Sequence, residues 1–278
     1  MYNFKKGTAL RTEFAPKVAG TSRIQGILWS ARAHDWAETQ EGMCHPLFVS
    51  VLTRVGVQPG VAHLDIGCGA GRVSNLSAKM GATVSGLDAS PTFISIAKLR
   101  TPEGDFRIGE MEDLPFANSS FDLVTGFNSF QFASSHVHAL REARRVSRPD
   151  GVIVAATWGR SEQCETAPVL AALKPLAPPS PPGAPGPFAL SDDGALEDLL
   201  LKSGLKPIAN EEVICVWTYP ELSAALRGLL SAGPAVAAIE HSGEGVVRQT
   251  VTEAIAPFRR PDGSYRMDNR FRYVVARN

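Results

Sequence analysis

The 278-residue chain lacks a net charge: 28 basic side chains are matched by 28 acidic ones. Without a field of one sign, nothing draws the whole protein toward nucleic acid or an anionic membrane, so a small partner is expected. Basic residues gather locally, from Arg141 to Arg148 and from Arg259 to Arg272. The first run is interleaved with apolar residues at helical spacing and reads as a solvated helix face. Cysteine is also scarce. Cys44, Cys68, Cys164 and Cys215 lie far apart in sequence with no CxxC pair, which argues against a zinc knuckle or iron-sulfur motif and points to a reduced, cytoplasmic setting with no metal. No apolar run approaches the roughly 20 residues that span a bilayer. Lys5, Lys6, Arg11, Glu13 and Lys17 interrupt the first 20 residues, so no ordinary secretory signal is expected.

What is present suffices for a folded core, with 44% apolar and 20% charged residues. In LFVSVLTRV, Leu47, Val51, Leu52 and Val55 share one helical face, and Gly56 with Pro59-Gly60 ends the pattern. A short apolar run, Ala62 to Ile66, then leads into a glycine-rich loop and a helical stretch from Val73 to Met80. A second strand, Thr83 to Leu87, ends at Asp88, and Ser90-Pro91 marks the next helix start. Further strands are expected at Asp105–Ile108, in FDLVTGFN, at Gly151–Thr157 and at Glu211–Trp217, with a last one in RFRYVVAR. A helix is expected at Val137–Val146, and another capped by Ser191. The proline-rich segment Pro175–Phe188 is a loop of extended character, and short helices broken at Gly233-Pro234 and Gly243 occupy Glu221–Ala256.

The loop LDIGCGAGR carries most weight. Gly67, Gly69 and Gly71 let the backbone turn sharply out of a strand and approach a ligand. A dinucleotide fingerprint, G-x-G-x-x-G, would place its third glycine where Arg72 stands, and an acid, Asp65, precedes the first glycine. For Asp65 or Asp88 taken alone, a mere strand-end role remains open.

At these residues the chain resembles the class I S-adenosylmethionine-dependent methyltransferases, in particular the small-molecule branch of ubiquinone and menaquinone biosynthesis. The resemblance covers about Pro59 to Trp158. It implies an α/β fold: a Rossmann-like, doubly wound, mostly parallel seven-stranded sheet with an antiparallel last strand and a helical lid. It also implies a single domain over 1–278, divided into an N-terminal lid (1–45), a cofactor-binding core (46–158) and a C-terminal half (159–278). The cofactor would be S-adenosylmethionine. Gly67, Gly69 and Ala70 would contact its methionine portion, with Asp65 receiving the amino group. Asp88 would accept from both ribose hydroxyls and Ala89 would lie beside the adenine. In GEMEDLPF, Glu110 would accept from the exocyclic amine and the Met111 backbone would pair with the ring edge. The backbone of Phe127, after the fourth strand, would face the cofactor. Glu110, where Asp or Asn is usual, and Asp150-Gly151, in place of a glycine pair, depart from the family pattern.

In-line methyl displacement needs alignment and water exclusion more than a covalent residue. His34 and His45, in the N-terminal segment, are candidate bases. Trp29 and Trp36 flank His34 and are read as cover for the site or as core packing. The regions outside the sheet core contain Phe14, Phe188, Trp217 and Tyr219, so an apolar or aromatic small-molecule acceptor is expected. Two rival readings keep the fold but change the role: a non-methylating reaction such as cyclisation, and a non-catalytic cofactor-binding module.

Overall fold

A computed structural model describes residues 20–179 and 187–278. Phe14 and the centre of the proline-rich loop lie outside the described residues. The chain enters through α1 (Ser22–Ser30) and α2 (Ala33–Asp35), a wide turn at Trp36–Gln40, a tight turn at Glu41–Cys44 and then α3 (His45–Arg54). Strands and helices alternate from there: β1 (Ala62–Ile66), α4 (Arg72–Lys79), β2 (Thr83–Asp88), α5 (Pro91–Arg100), β3 (Asp105–Ile108), β4 (Phe121–Phe127), α6 (His136–Val146) and β5 (Ser147–Trp158). The C-terminal half adds α7 (Ala167–Leu173), α8 (Ala195–Lys202), β6 (Lys206–Tyr219), α9 (Leu222–Leu229), α10 (Gly233–Ser242), α11 (Glu244–Ile255) and β7 (Tyr265–Arg277).

The seven strands form one sheet in the order β3-β2-β1-β4-β5-β7-β6, with β7 antiparallel to both its neighbours. This is the Rossmann-like sheet the sequence implies. The strand order reverses between β1 and β4, which opens a crevice at their C-terminal ends. Both faces are covered, so the central strands read as continuous apolar runs. On β5, Val154 and Ala156 pack into a cluster shared with α3, α4, α7, α9, α10 and α11. Ile153 and Ala155 face the opposite cluster, under α6 and α8.

β7 begins at Tyr265, five residues before the expected RFRYVVAR, and three other differences from expectation each have a local reason. β5 begins at Ser147, because Asp150 adopts a left-handed conformation (φ 61°) and lets the strand carry a bulge before Val152. β6 begins at Lys206: as an edge strand with only β7 beside it, its first half is polar and partly exposed and carries no apolar signal. Ser191 does not cap α8, whose N-cap is the left-handed Gly194; the Ser191 hydroxyl donates instead to the Trp158 carbonyl at 2.9 Å. Gly233-Pro234 and Gly243 divide α9, α10 and α11 as expected. Among the described residues no single helix is long and apolar enough to cross a membrane; α9 and α10 reach that length only as a pair bent by 95°.

Candidate functional site: the crevice between β1 and β4

β1 delivers its chain into the crevice through three left-handed glycines, Gly67, Gly69 and Gly71. Two of them are needed for contact as well as for turning. A Cβ on Gly67 would lie 2.4 Å from the Ser129 Cβ, and one on Gly71 would lie 2.7 Å from the Ala97 Cβ. Gly71 thus takes over the close helix packing that a glycine at position 72 would serve in a dinucleotide site. The Arg72 side chain turns toward Gly42 of the lid. The backbone N–H of Arg72, first in α4, donates to Glu41 Oε1 at 3.4 Å. A protein carboxylate therefore faces the helix N-terminus where a dinucleotide would bring its pyrophosphate.

Asp88, at the end of β2, ties the loop to the next helix. Its Oδ2 accepts from the Gly69 N–H at 2.9 Å and its Oδ1 from the Ser90 N–H at 2.8 Å. Burial pushes its pKa up to about 6, opposed by those amides. Asp65 is 2% exposed and accepts from the Thr125 hydroxyl at 2.6 Å. Burial pushes it up to about 7, with Asp88 and Glu41 adding to the rise. The Gly67 and Cys68 amides both donate to the Leu87 carbonyl. With the Gly67, Cys68, Gly69 and Gly71 amides engaged within the protein, the carboxylates around the loop suit a cationic ligand group, which takes acceptors only.

The turn after β4 closes the other wall. β4 extends through Phe127, whose ring packs edge-on against Phe48 at 5.1 Å, so the first residue beyond the strand is Asn128, left-handed at φ 50°. Ser129 follows, over Gly67. Asn128 Oδ1 and Ser129 Oγ are buried without a hydrogen-bond partner. Sequence reading passes over both, because their environment exists only once β1 and β4 are adjacent.

The lid covers this crevice. A Cβ on Gly26 of α1 would lie 2.4 Å from the Ala89 carbonyl, and the Ser30 and Ser90 hydroxyls meet at 2.7 Å. Trp29 packs edge-on against Trp36 and Phe132, at 4.9 and 5.7 Å. Glu110 Oε2 accepts from the Ser22 N–H at 2.8 Å and its Oε1 from the Glu112 N–H at 3.3 Å, so this carboxylate holds the start of α1 against the turn containing Met111. Arg100 acts as a clamp: it pairs with Glu41, which is 7% exposed, and donates to the Ala70 and Ala37 carbonyls at 2.9 Å each. Burial raises the Glu41 pKa, and Arg100 opposes the rise. The lid also meets the C-terminal half: the hydroxyl of Tyr219, at the end of β6, donates to Gln40 Oε1 at 2.7 Å, and Arg227 of α9 pairs with Asp35 at 2.6 Å.

Residues 64–155 match the family described as the methyltransferase domain. The chain is 38% identical over 106 residues to a demethylmenaquinone methyltransferase of Renibacterium salmoninarum, covering 38% of this chain and 45% of that protein. It is 29% identical over 160 residues to a ubiquinone biosynthesis O-methyltransferase of Cereibacter sphaeroides, covering 56% of this chain and 64% of the relative. The chain carries a class I methyltransferase domain. It spans about half the length of the curated relatives it matches. Among solved structures, the (4+2)-cyclase SpnF shares the fold, with a TM-score of 0.54 and 19% identity over 84% of this chain and 79% of that one.

The cofactor of this methyltransferase class is S-adenosylmethionine, and the crevice fits it. The orphaned Asn128 Oδ1 and Ser129 Oγ offer an acceptor and a hydroxyl beside Gly67, suited to the ammonium and carboxylate of a methionine. The two oxygens of Asp88 suit a vicinal diol.

The structure brings Asp65, Gly67, Gly69, Ala70, Asp88 and Ala89 together at this crevice, with Glu110 and Met111 joined to it through α1. His34 and His45, the candidate bases, are both exposed. His136 and His138 are partly exposed at the start of α6, where Ser135 is the cap. The buried histidine is His63, two residues before Asp65, and the sequence reading does not single it out. Its one signal is a second ionisable residue, beside Asp65, inside a short buried strand. Nor does sequence separation foretell that Cys44 neighbours Cys215, which together with burial raises the Cys44 pKa. Arg145 is likewise more than a solvated side chain, since it donates to the Leu114 and Phe116 carbonyls and holds the Met111 turn to α6.

Proposed function

We propose that the protein transfers a methyl group from S-adenosylmethionine to a small apolar or aromatic molecule. The observation that carries this reading is the crevice itself, where Asp65, Asp88 and Glu41 stand around a glycine loop with the unpartnered Asn128 and Ser129 opposite. Bound there, the cofactor supplies an electrophilic methyl on a sulfonium. In this reading Asp65 and the loop of Gly67, Gly69 and Ala70 receive the methionine ammonium, Asp88 accepts from the ribose, and Ala89, Glu110, Met111 and the Phe127 backbone border the nucleoside. The described lid residues 20–45 and helices α9 to α11 exclude water, and one domain does the whole task. The support for an apolar acceptor is an aromatic group beyond β5: Trp158 stacks on Phe271 at 4.6 Å and meets Trp217 at 5.6 Å and Phe188 at 5.7 Å. The four free cysteines support a reducing, cytoplasmic setting.

The test is transfer of a labelled methyl group from S-adenosylmethionine into a metabolite extract, read by mass spectrometry. A labelled small-molecule product supports the reading. Cofactor binding with conversion of a metabolite that gains no label would instead favour a non-methylating reaction, and binding with no conversion a non-catalytic module.

A further inference from the structure

We propose that His63 is a positioning residue for Asp65: acting through the Thr125 hydroxyl, it holds the Asp65 carboxylate ready to receive the ammonium of the cofactor's methionine. The proposal rests on the reading of Asp65 given above.

His63 and Asp65 are alternate residues of β1 and share one face of the sheet; Thr125 is the register partner of Asp65 on β4. His63 is 0% exposed. Its Nδ1 lies 2.9 Å from the Ser77 hydroxyl of α4, and its Nε2 lies 2.8 Å from Thr125 Oγ1. Thr125 donates to Asp65 at 2.6 Å. A threonine hydroxyl has one proton, so while it donates to Asp65 it must accept from His63. That places the imidazole proton on Nε2, leaves Nδ1 as an acceptor and makes Ser77 the donor to it. The hydrogen bonds therefore all run one way: Ser77 to His63 to Thr125 to Asp65. The Ser77-to-His63 direction holds for a neutral ring, and burial keeps the ring neutral by lowering the His63 pKa to about 3.

Packing alone does not call for this arrangement, since an aliphatic side chain would fill position 63 without desolvating an imidazole. What the chain of bonds does is fix the direction of the Thr125 proton. Without His63 that hydroxyl is free to rotate toward another acceptor, and Asp65 loses the hydrogen bond that favours its ionised form. The groups facing Asp65 make that bond matter. Asp88 at the end of β2 and Glu41 of the lid repel its charge; Glu41 is itself paired with Arg100 of α5 and faces Arg72 at the start of α4, and the Cys68 thiol lies in the loop between.

An ammonium binds the ionised carboxylate, so affinity falls about tenfold per pH unit below the midpoint of Asp65 ionisation. The test is calorimetric titration of S-adenosylhomocysteine, the demethylated cofactor, from pH 5.5 to 8.5 into wild type, His63→Leu, His63→Gln, Thr125→Val and Asp65→Asn. The expected result is an upward shift of the midpoint in His63→Leu and Thr125→Val, with binding several-fold weaker at pH 7 and close to wild type at the alkaline end. His63→Gln, which keeps an N–H toward Thr125, should restore the wild-type midpoint. Unshifted midpoints in His63→Leu and Thr125→Val, even with lowered melting temperatures, would make His63 a packing residue and overturn the proposal. Thr125→Val is nearly isosteric and decides the matter if His63→Leu does not fold. Asp65→Asn separates the two claims. If it binds like wild type at every pH, the reading of Asp65 itself fails; if it binds weakly while the other midpoints stay put, the role of His63 alone fails.

Discussion

Gly67 and Ser129 meet across the sheet's reversal point so closely that a methyl group on Gly67 would sit 2.4 Å from the Ser129 Cβ. Gly67 also holds φ at 71°. The substitution Gly67→Ala therefore combines a left-handed backbone with a clash, a cost of about 2–4 kcal/mol. Melting with and without S-adenosylmethionine should show a less stable protein whose cofactor affinity has fallen at least tenfold. Gly60→Ala is the control: φ is 91° there, but no atom lies within 4 Å, so it should cost only about 1–2 kcal/mol and leave binding unchanged.

The clamp around Arg100 gives a second prediction. Arg100→Ala leaves the nearly buried Glu41 without its cation, a loss of about 3 kcal/mol. It also frees the Ala70 and Ala37 carbonyls of their donor. Urea denaturation should report the lost stability, and hydrogen exchange should quicken in residues 20–44 before it does in the strands.

Asp65 makes the fold pH-sensitive in an unusual direction. Its pKa is raised in the folded protein, to about 7 from 3.8, so between those values the folded state binds more protons than the unfolded one. The stability that Asp65 contributes is thus highest at low pH and declines as pH rises to about 7. Asp65→Asn removes this dependence, so its melting temperature should climb relative to wild type as pH is raised from 4 to 7. An unchanging difference would contradict the raised pKa.

His34 and His45 are exposed, so the double substitution His34→Ala, His45→Ala should leave both cofactor affinity and labelled-methyl transfer within a factor of two of wild type. A large loss of transfer alone would return them to candidacy as bases.

The sequence announces those parts of the fold in which local and tertiary preferences agree. Gly67 to Gly71 sits between a clear strand and a clear helix, and Ser90-Pro91 caps α5 as read, with the Ser90 hydroxyl accepting from the Phe93 N–H. The first half of β6 is silent because a polar edge strand has no face that must be apolar. The site is legible along single segments and illegible across them. Asp65 and Asp88 stand in recognisable motifs, whereas Glu41, Thr125, Asn128 and Ser129 gain their roles from neighbours more than 20 residues away in sequence. His63 is hidden for a related reason: a polar residue in a buried strand, outside any motif, looks like noise until Ser77 and Thr125 appear on either side of its ring.

The central claim, that S-adenosylmethionine sits between β1 and β4 with its ribose on Asp88, is tested most directly by calorimetry. Wild type and Asp88→Asn are titrated with S-adenosylmethionine and with S-adenosylhomocysteine. Asparagine replaces one acceptor oxygen by a donor, against the Gly69 or Ser90 N–H and against the ribose. The account predicts one-to-one binding of both ligands to wild type and at least tenfold weaker binding to a still-folded Asp88→Asn. No heat with either ligand, or equal affinity in the two proteins, would contradict it.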